Sequence, residues 1–211
     1  MAIPVFGQIH AVSFLIPAAA GIKRFSKLSR AMRLLTILCV LACIDIAVQL
    51  LVAFGGMKNY FLSDYYRVIE VTLLCVVFYL SSVSKGTRIV LRALGILFVV
   101  IWIVDMFYFH DPHRMNSTMA MTSRTFLIVM SLVTLQSAIE DERSHLLERP
   151  VFWVVMGVVL YSAGTLLVVG LSNQLLALGK VYFDVAWHIN WSLLIIANLL
   201  YTKGMLCKSQ A

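Results

Sequence analysis

Charge is scarce in this sequence. Only 13% of its 211 residues are Asp, Glu, Lys or Arg, against roughly 25% in a typical soluble domain. With 61% hydrophobic residues and a mean hydropathy of +0.92, this excludes an ordinary soluble enzyme. Proline is also scarce: of four, only Pro17 lies well inside an apolar run, while Pro112 and Pro150 fall in loops. No Pro-Gln pair occurs, which sets aside the sugar transporters and retrieval receptors built on that motif. The middle of the last apolar run has no lysine; Lys180 and Lys203 bracket it, so no retinal Schiff base is expected. Four cysteines, Cys39, Cys43, Cys75 and Cys207, make no disulfide framework. Buried thiols in apolar helices act mainly as small packing residues, the alternative being a Cys39/Cys43 metal pair.

What fills the chain instead is seven apolar runs: 3–22, 34–54, 66–83, 89–109, 118–138, 151–171 and 181–201. A membrane-crossing helix needs about 20 such residues. β-Barrel strands would alternate in polarity, and runs such as Leu34-Leu35-Thr36-Ile37-Leu38 do not. The expectation is one all-α integral membrane domain over residues 1–211. Twelve of the 17 Lys and Arg fall in the first, third and fifth loops and the C-terminal end. Lys58, Arg67, Arg114, Arg124 and Lys180 fall on the other side. By the positive-inside rule the N-terminus is outside and the C-terminus inside. Ala18-Ala19-Ala20 resembles a signal-peptide cleavage site, but no basic residue precedes Lys23, so the first run is read as an uncleaved helix. The net charge of +7 then matches anionic lipid heads and not nucleic acid.

Ionisable groups at membrane depth cost several kcal/mol, so they face the bundle interior and pair or serve function. Counting from helix ends puts His10, Gln49, Tyr66, Glu70, Asp105, Arg124, Asp184, His188 and Asn190 in the outer half, with Asp45 near the midplane. The inner halves, such as Leu193-Leu194-Ile195-Ile196, are bare of charge. A polar layer above an apolar floor predicts an outward-facing ligand pocket lined by these residues. Tyr65-Tyr66-Arg67-Val68-Ile69-Glu70 and Tyr182-Phe183-Asp184-Val185-Ala186-Trp187-His188 share a pattern, suggesting a 3+1+3 parallel repeat around helix 4.

Three functions compete for that layer. In a receptor or sensory bundle it would bind a small molecule, and the charged loop 140–149 would dock a cytoplasmic signalling partner. A small-solute or proton-coupled transporter would use Asp45 as proton carrier. In a metal-dependent hydrolase, Asp184, His188, Glu70 and His10 would hold zinc, although no Ser-x-x-x-His stands on an early helix as in seven-helix metal hydrolases. His110-Asp111-Pro112-His113 is a second ligand-rich run, and Asn116-Ser117-Thr118 fits an N-glycosylation acceptor. The structural alternative for every buried charge is mutual pairing: Glu70 or Asp105 with Arg124, and Asp184 with His188. Small residues Gly157, Ala163, Gly164 and Gly170 would let helices approach closely. A homo-oligomer stays open.

Phe25-Ser26-Lys27-Leu28-Ser29-Arg30, Tyr65 through Glu70, and Pro150-Val151-Phe152-Trp153 with Tyr161 carry a resemblance over most of the chain. It resembles a group of uncharacterised bacterial seven-transmembrane-helix proteins, some of whose bundles look like the membrane sensor of a histidine kinase. That resemblance implies seven helices in a bacterial inner membrane and tilts function toward sensing. No kinase follows helix 7 here, so signalling would need a partner protein.

Overall fold

The computed structural model describes residues 5–55, 60–108, 116–140 and 145–207. These form nine α-helices: α1 (Val5–Ser13), α2 (Leu15–Lys23), α3 (Arg30–Phe54), α4 (Tyr60–Ser81), α5 (Lys85–Tyr108), α6 (Ser117–Ile139), α7 (Pro150–Gly170), α8 (Ser172–Leu178) and α9 (Lys180–Leu206). Among the described residues no strand occurs. Five helices, α3, α5, α6, α7 and α9, are long and apolar enough to cross a membrane, as in an integral membrane protein. α4 has the length, 22 residues, but carries Asp64, Arg67 and Glu70 in its first half.

The first apolar run is not one helix. Its break falls at Phe14, three residues before Pro17. A proline inside a helix lacks the N–H that would reach back four residues, to the Ser13 carbonyl, and its ring crowds that oxygen. α1 and α2 are therefore two nine-residue pieces. The break is held from outside: Asn198 Nδ2 on α9 donates to Ser13 Oγ at 2.9 Å, both residues being buried. A second unforeseen element is α8, in the stretch read as the loop before the last run. Gly179, at φ +131°, turns the chain from α8 into α9, a backbone state that suits glycine.

Neighbour relations close a ring. α1 and α2 pack on α3 and α9, α3 on α4, α4 on α6, α6 on α7, and α7 on α9. α5 leans on α4 and α6 from outside and buries only Leu91 and Phe98 fully. Lipid tails offer no hydrophobic gain for helix association, so close packing of small residues must supply it. The α7–α9 seam shows this. Gly157 lies against Tyr201, Gly164 against Leu193, and Gly204 against the Pro150 carbonyl. Cys75 Sγ sits where Gly95 leaves room and donates to the Leu91 carbonyl at 3.2 Å. All four cysteines are free thiols.

One end of the bundle gathers the basic residues, and there arginines cap helices. Arg24 donates to the Met205 carbonyl at 2.8 Å, Arg88 to Ser82 at 2.8 Å, and Arg149 to Ala138 at 3.0 Å. Each acceptor lies at or just beyond the C-terminus of α9, α4 or α6, where carbonyls lack intrahelical partners and the helix dipole favours a cation.

A methyl at Gly157 would lie 2.7 Å from the Tyr201 ring and 3.2 Å from the Ala197 carbonyl. Gly157→Ala should therefore cost about 1–3 kcal/mol, read as a lowered midpoint of thermal unfolding in detergent.

Candidate functional site

At the end of the bundle opposite the capped arginines lies a cavity of about 270 Å³. All six sectors of the ring contribute to its wall, and α5 does not. α4 presents Ser63, Tyr66, Arg67 and Glu70, and α9 presents Trp187, Asn190, Trp191 and Leu194. Both sets run i, i+3, i+4, i+7, the signature of a single helix face. α1 adds His10, α3 adds Asp45 and Gln49, α6 adds Ala120 and Arg124, and α7 adds Tyr161.

Arg124 is the centre of the polar wall. Its guanidinium is 3.4 Å from Glu70 Oε2 and donates to the Tyr161 hydroxyl at 2.8 Å. It also stands 4.2 Å from the Tyr161 ring centroid, a cation–π distance. Arg67 pairs with Asp64 at 2.6 Å within one turn of α4. Gln49 donates to Asp45 at 2.6 Å. His10 stacks on Trp191, with ring centroids 5.9 Å apart. Among the described residues, His10 Nε2 and Asn190 Oδ1 are enclosed and have no hydrogen-bond partner. Asn116 accepts from the Met119 N–H, capping α6, and its amide donates to Asp105.

Of the residues expected to line one pocket, the structure brings together His10, Asp45, Gln49, Tyr66, Glu70 and Arg124. It leaves out three. Asp105 sits on the peripheral α5, tied to the cap of α6. Asp184 is half exposed, 3.9 Å from Lys180, a turn nearer the helix start than Trp187. His188 is exposed and its Nδ1 meets the Asp184 backbone carbonyl, so the expected carboxylate–imidazole pair is replaced by a local one. One residue of helix is about 100° of rotation, which turns His188 out where Trp187 faces in. Of the two partners offered for Arg124, the structure selects Glu70. The zinc candidates Asp184, His188, Glu70 and His10 are not brought together: among the described residues no three His, Cys, Asp or Glu form a group able to hold a metal ion. His110, Asp111 and His113 lie outside the described residues.

Asn190, expected in the polar layer, also lines the wall, whereas Asp64, Arg67, Asn116, Tyr161, Trp187 and Trp191 were not among the expected site residues. Asp64 escapes because the apolar run begins only at Tyr66, although α4 starts six residues earlier; Arg67, at the edge of that run, is counted with the outer basic residues instead. The i, i+3, i+4, i+7 spacing of Ser63, Tyr66, Arg67 and Glu70 is the signal that could have found that face.

Protein-family models, curated proteins and solved structures yield no match to this chain. The site has to be read from its own chemistry.

Removing Arg124 would leave Glu70, whose side chain is 16% exposed, as an uncompensated charge. Arg124→Gln should destabilise the protein by about 3–5 kcal/mol, the usual cost of breaking a buried pair. Adding Glu70→Gln should recover more than half of the loss, which a double-mutant cycle in detergent unfolding would measure.

Proposed function

We propose that the chain is a heptahelical membrane protein of the bacterial inner membrane, N-terminus outside, that recognises a small ligand in the central cavity in a sensory or accessory role. The observation that carries this reading is a cavity walled by six ring sectors, lined with paired charges and aromatic rings, and holding polar atoms without protein partners. Its volume is near the lower bound of small-molecule pockets, about 300 Å³. Seven spans follow if α1 with α2 counts as one broken crossing and α4 as another. The ring order supports a 3+1+3 arrangement, with α1/α2, α3 and α4 on one side, α6, α7 and α9 on the other, and α5 outside. The capped arginines at the end away from the cavity support placing the cavity outside.

One observation favours transport as a second reading. The helix break at Phe14 adjoins the cavity, which Phe14 and His10 both line, and discontinuous helices form the binding sites of many transporters.

Detergent-purified protein should gain thermal stability with a metabolite that fills the cavity, by about 2.7 kcal/mol at a hundredfold excess over Kd. Ile46→Trp, placed in the wall, should abolish the gain. No stabilisation by any member of a broad small-molecule library would remove the recognition reading. Reporter fusions near residues 56–59 and 140–144 should score outside and inside respectively. Solute uptake into liposomes, lost with Asp45→Asn, would move the assignment to transport.

A further inference from the structure

The cavity wall carries more negative charge and more acceptors than it satisfies. Three carboxylates, Asp45, Asp64 and Glu70, line it against two guanidiniums, Arg67 and Arg124. Both guanidiniums are engaged, Arg67 by Asp64 and Arg124 by Glu70 and Tyr161. Asp45 takes one hydrogen bond from the neutral Gln49 amide, and among the described residues no cation pairs with it. Across the ring, Asn190 is only 8% exposed, and its Oδ1 faces no donor. Trp187 and Trp191 stand one residue or one turn from it on the same cavity face.

Three ligand classes can be weighed against this wall. An anion would find both guanidiniums already neutralised and Asp45 opposing it. A neutral apolar molecule would leave Asp45 without a counter-charge and Asn190 Oδ1 without a donor, a cost of several kcal/mol. An organic ammonium supplies both missing things: a positive charge for Asp45 and an N–H donor for the enclosed, unsatisfied Asn190 Oδ1. Its carbon body has the Trp187 and Trp191 rings to lie against, where a cation over a tryptophan face is also favoured.

We propose that the ligand is a small organic amine, bound as its ammonium, with Asp45 as counter-ion, Asn190 Oδ1 as a second acceptor and Trp187 with Trp191 as its aromatic wall. This rests on the cavity being a ligand site, as proposed above. The cavity volume of about 270 Å³ limits the body to roughly one ring system with a short tail.

The test is calorimetric titration of the full chain in nanodiscs at neutral pH with tryptamine and phenethylamine, each paired with its carboxylate counterpart, indole-3-acetate and phenylacetate. The amines should bind at least about tenfold more tightly than the acids. Asp45→Asn should weaken them by about tenfold or more, the usual loss for a charged hydrogen bond, and Asp45→Glu should retain most of the affinity. Should Asp45→Asn not fold, Trp187→Leu should also weaken the amines about tenfold, while the outward-facing Asp184→Asn leaves them unchanged. Acids binding as tightly as amines, or amine affinity unmoved in folded Asp45→Asn, would overturn the ammonium assignment; if Ile46→Trp still abolishes that binding, the ligand-site reading stands. If neither amines nor acids bind and Ile46→Trp leaves thermal stability in the metabolite library unchanged, both readings fall.

Discussion

A guanidinium placed inside an apolar bundle constrains everything around it. Arg124 is always charged, and on α6 it is 8% exposed. It needs acceptors from neighbouring helices, which α4 supplies through Glu70 and α7 through Tyr161. One side chain thereby fixes the spacing and rotation of three consecutive members of the ring. The cavity is the space left beside that knot.

The opposite end of the bundle obeys a different rule. There, carbonyls at helix C-termini take the place of ligand-facing groups, and Arg24, Arg88 and Arg149 satisfy them. Between the two ends, adhesion comes from contact between small residues and larger ones, as with Gly157 and Tyr201. Ion pairs gather at the cavity end and arginine caps at the other, while uncharged polar side chains such as Ser131 and Ser162 are buried between them.

How much of this could be seen in the sequence follows from which physical quantity each feature depends on. Hydrophobic length is legible residue by residue, so α3, α5, α6, α7 and α9 match the apolar runs within a few residues. Pro17 was visible, but a run of apolar residues hides the break it makes. α8 has no length or polarity signal that separates it from a loop. Depth along a helix could be counted, and the count carries His10, Gln49, Tyr66, Glu70 and Arg124 to the same end; Asp45, counted near the midplane, also lines the cavity. Rotation about the helix axis could not, because one sequence does not say which face meets the ring. That is why Asp105, Asp184 and His188 lie elsewhere, and why Trp187 and Trp191, unremarkable among apolar neighbours, line the wall.

The broken first helix meets the last one directly: α1 and α2 lean on α9, and Asn198 reaches Ser13 at the break. Closure of the ring therefore waits on the segment synthesised latest among its members. Without α9, the wall that carries Asp45 and Arg67 lacks the Trp187, Asn190 and Trp191 face that completes it.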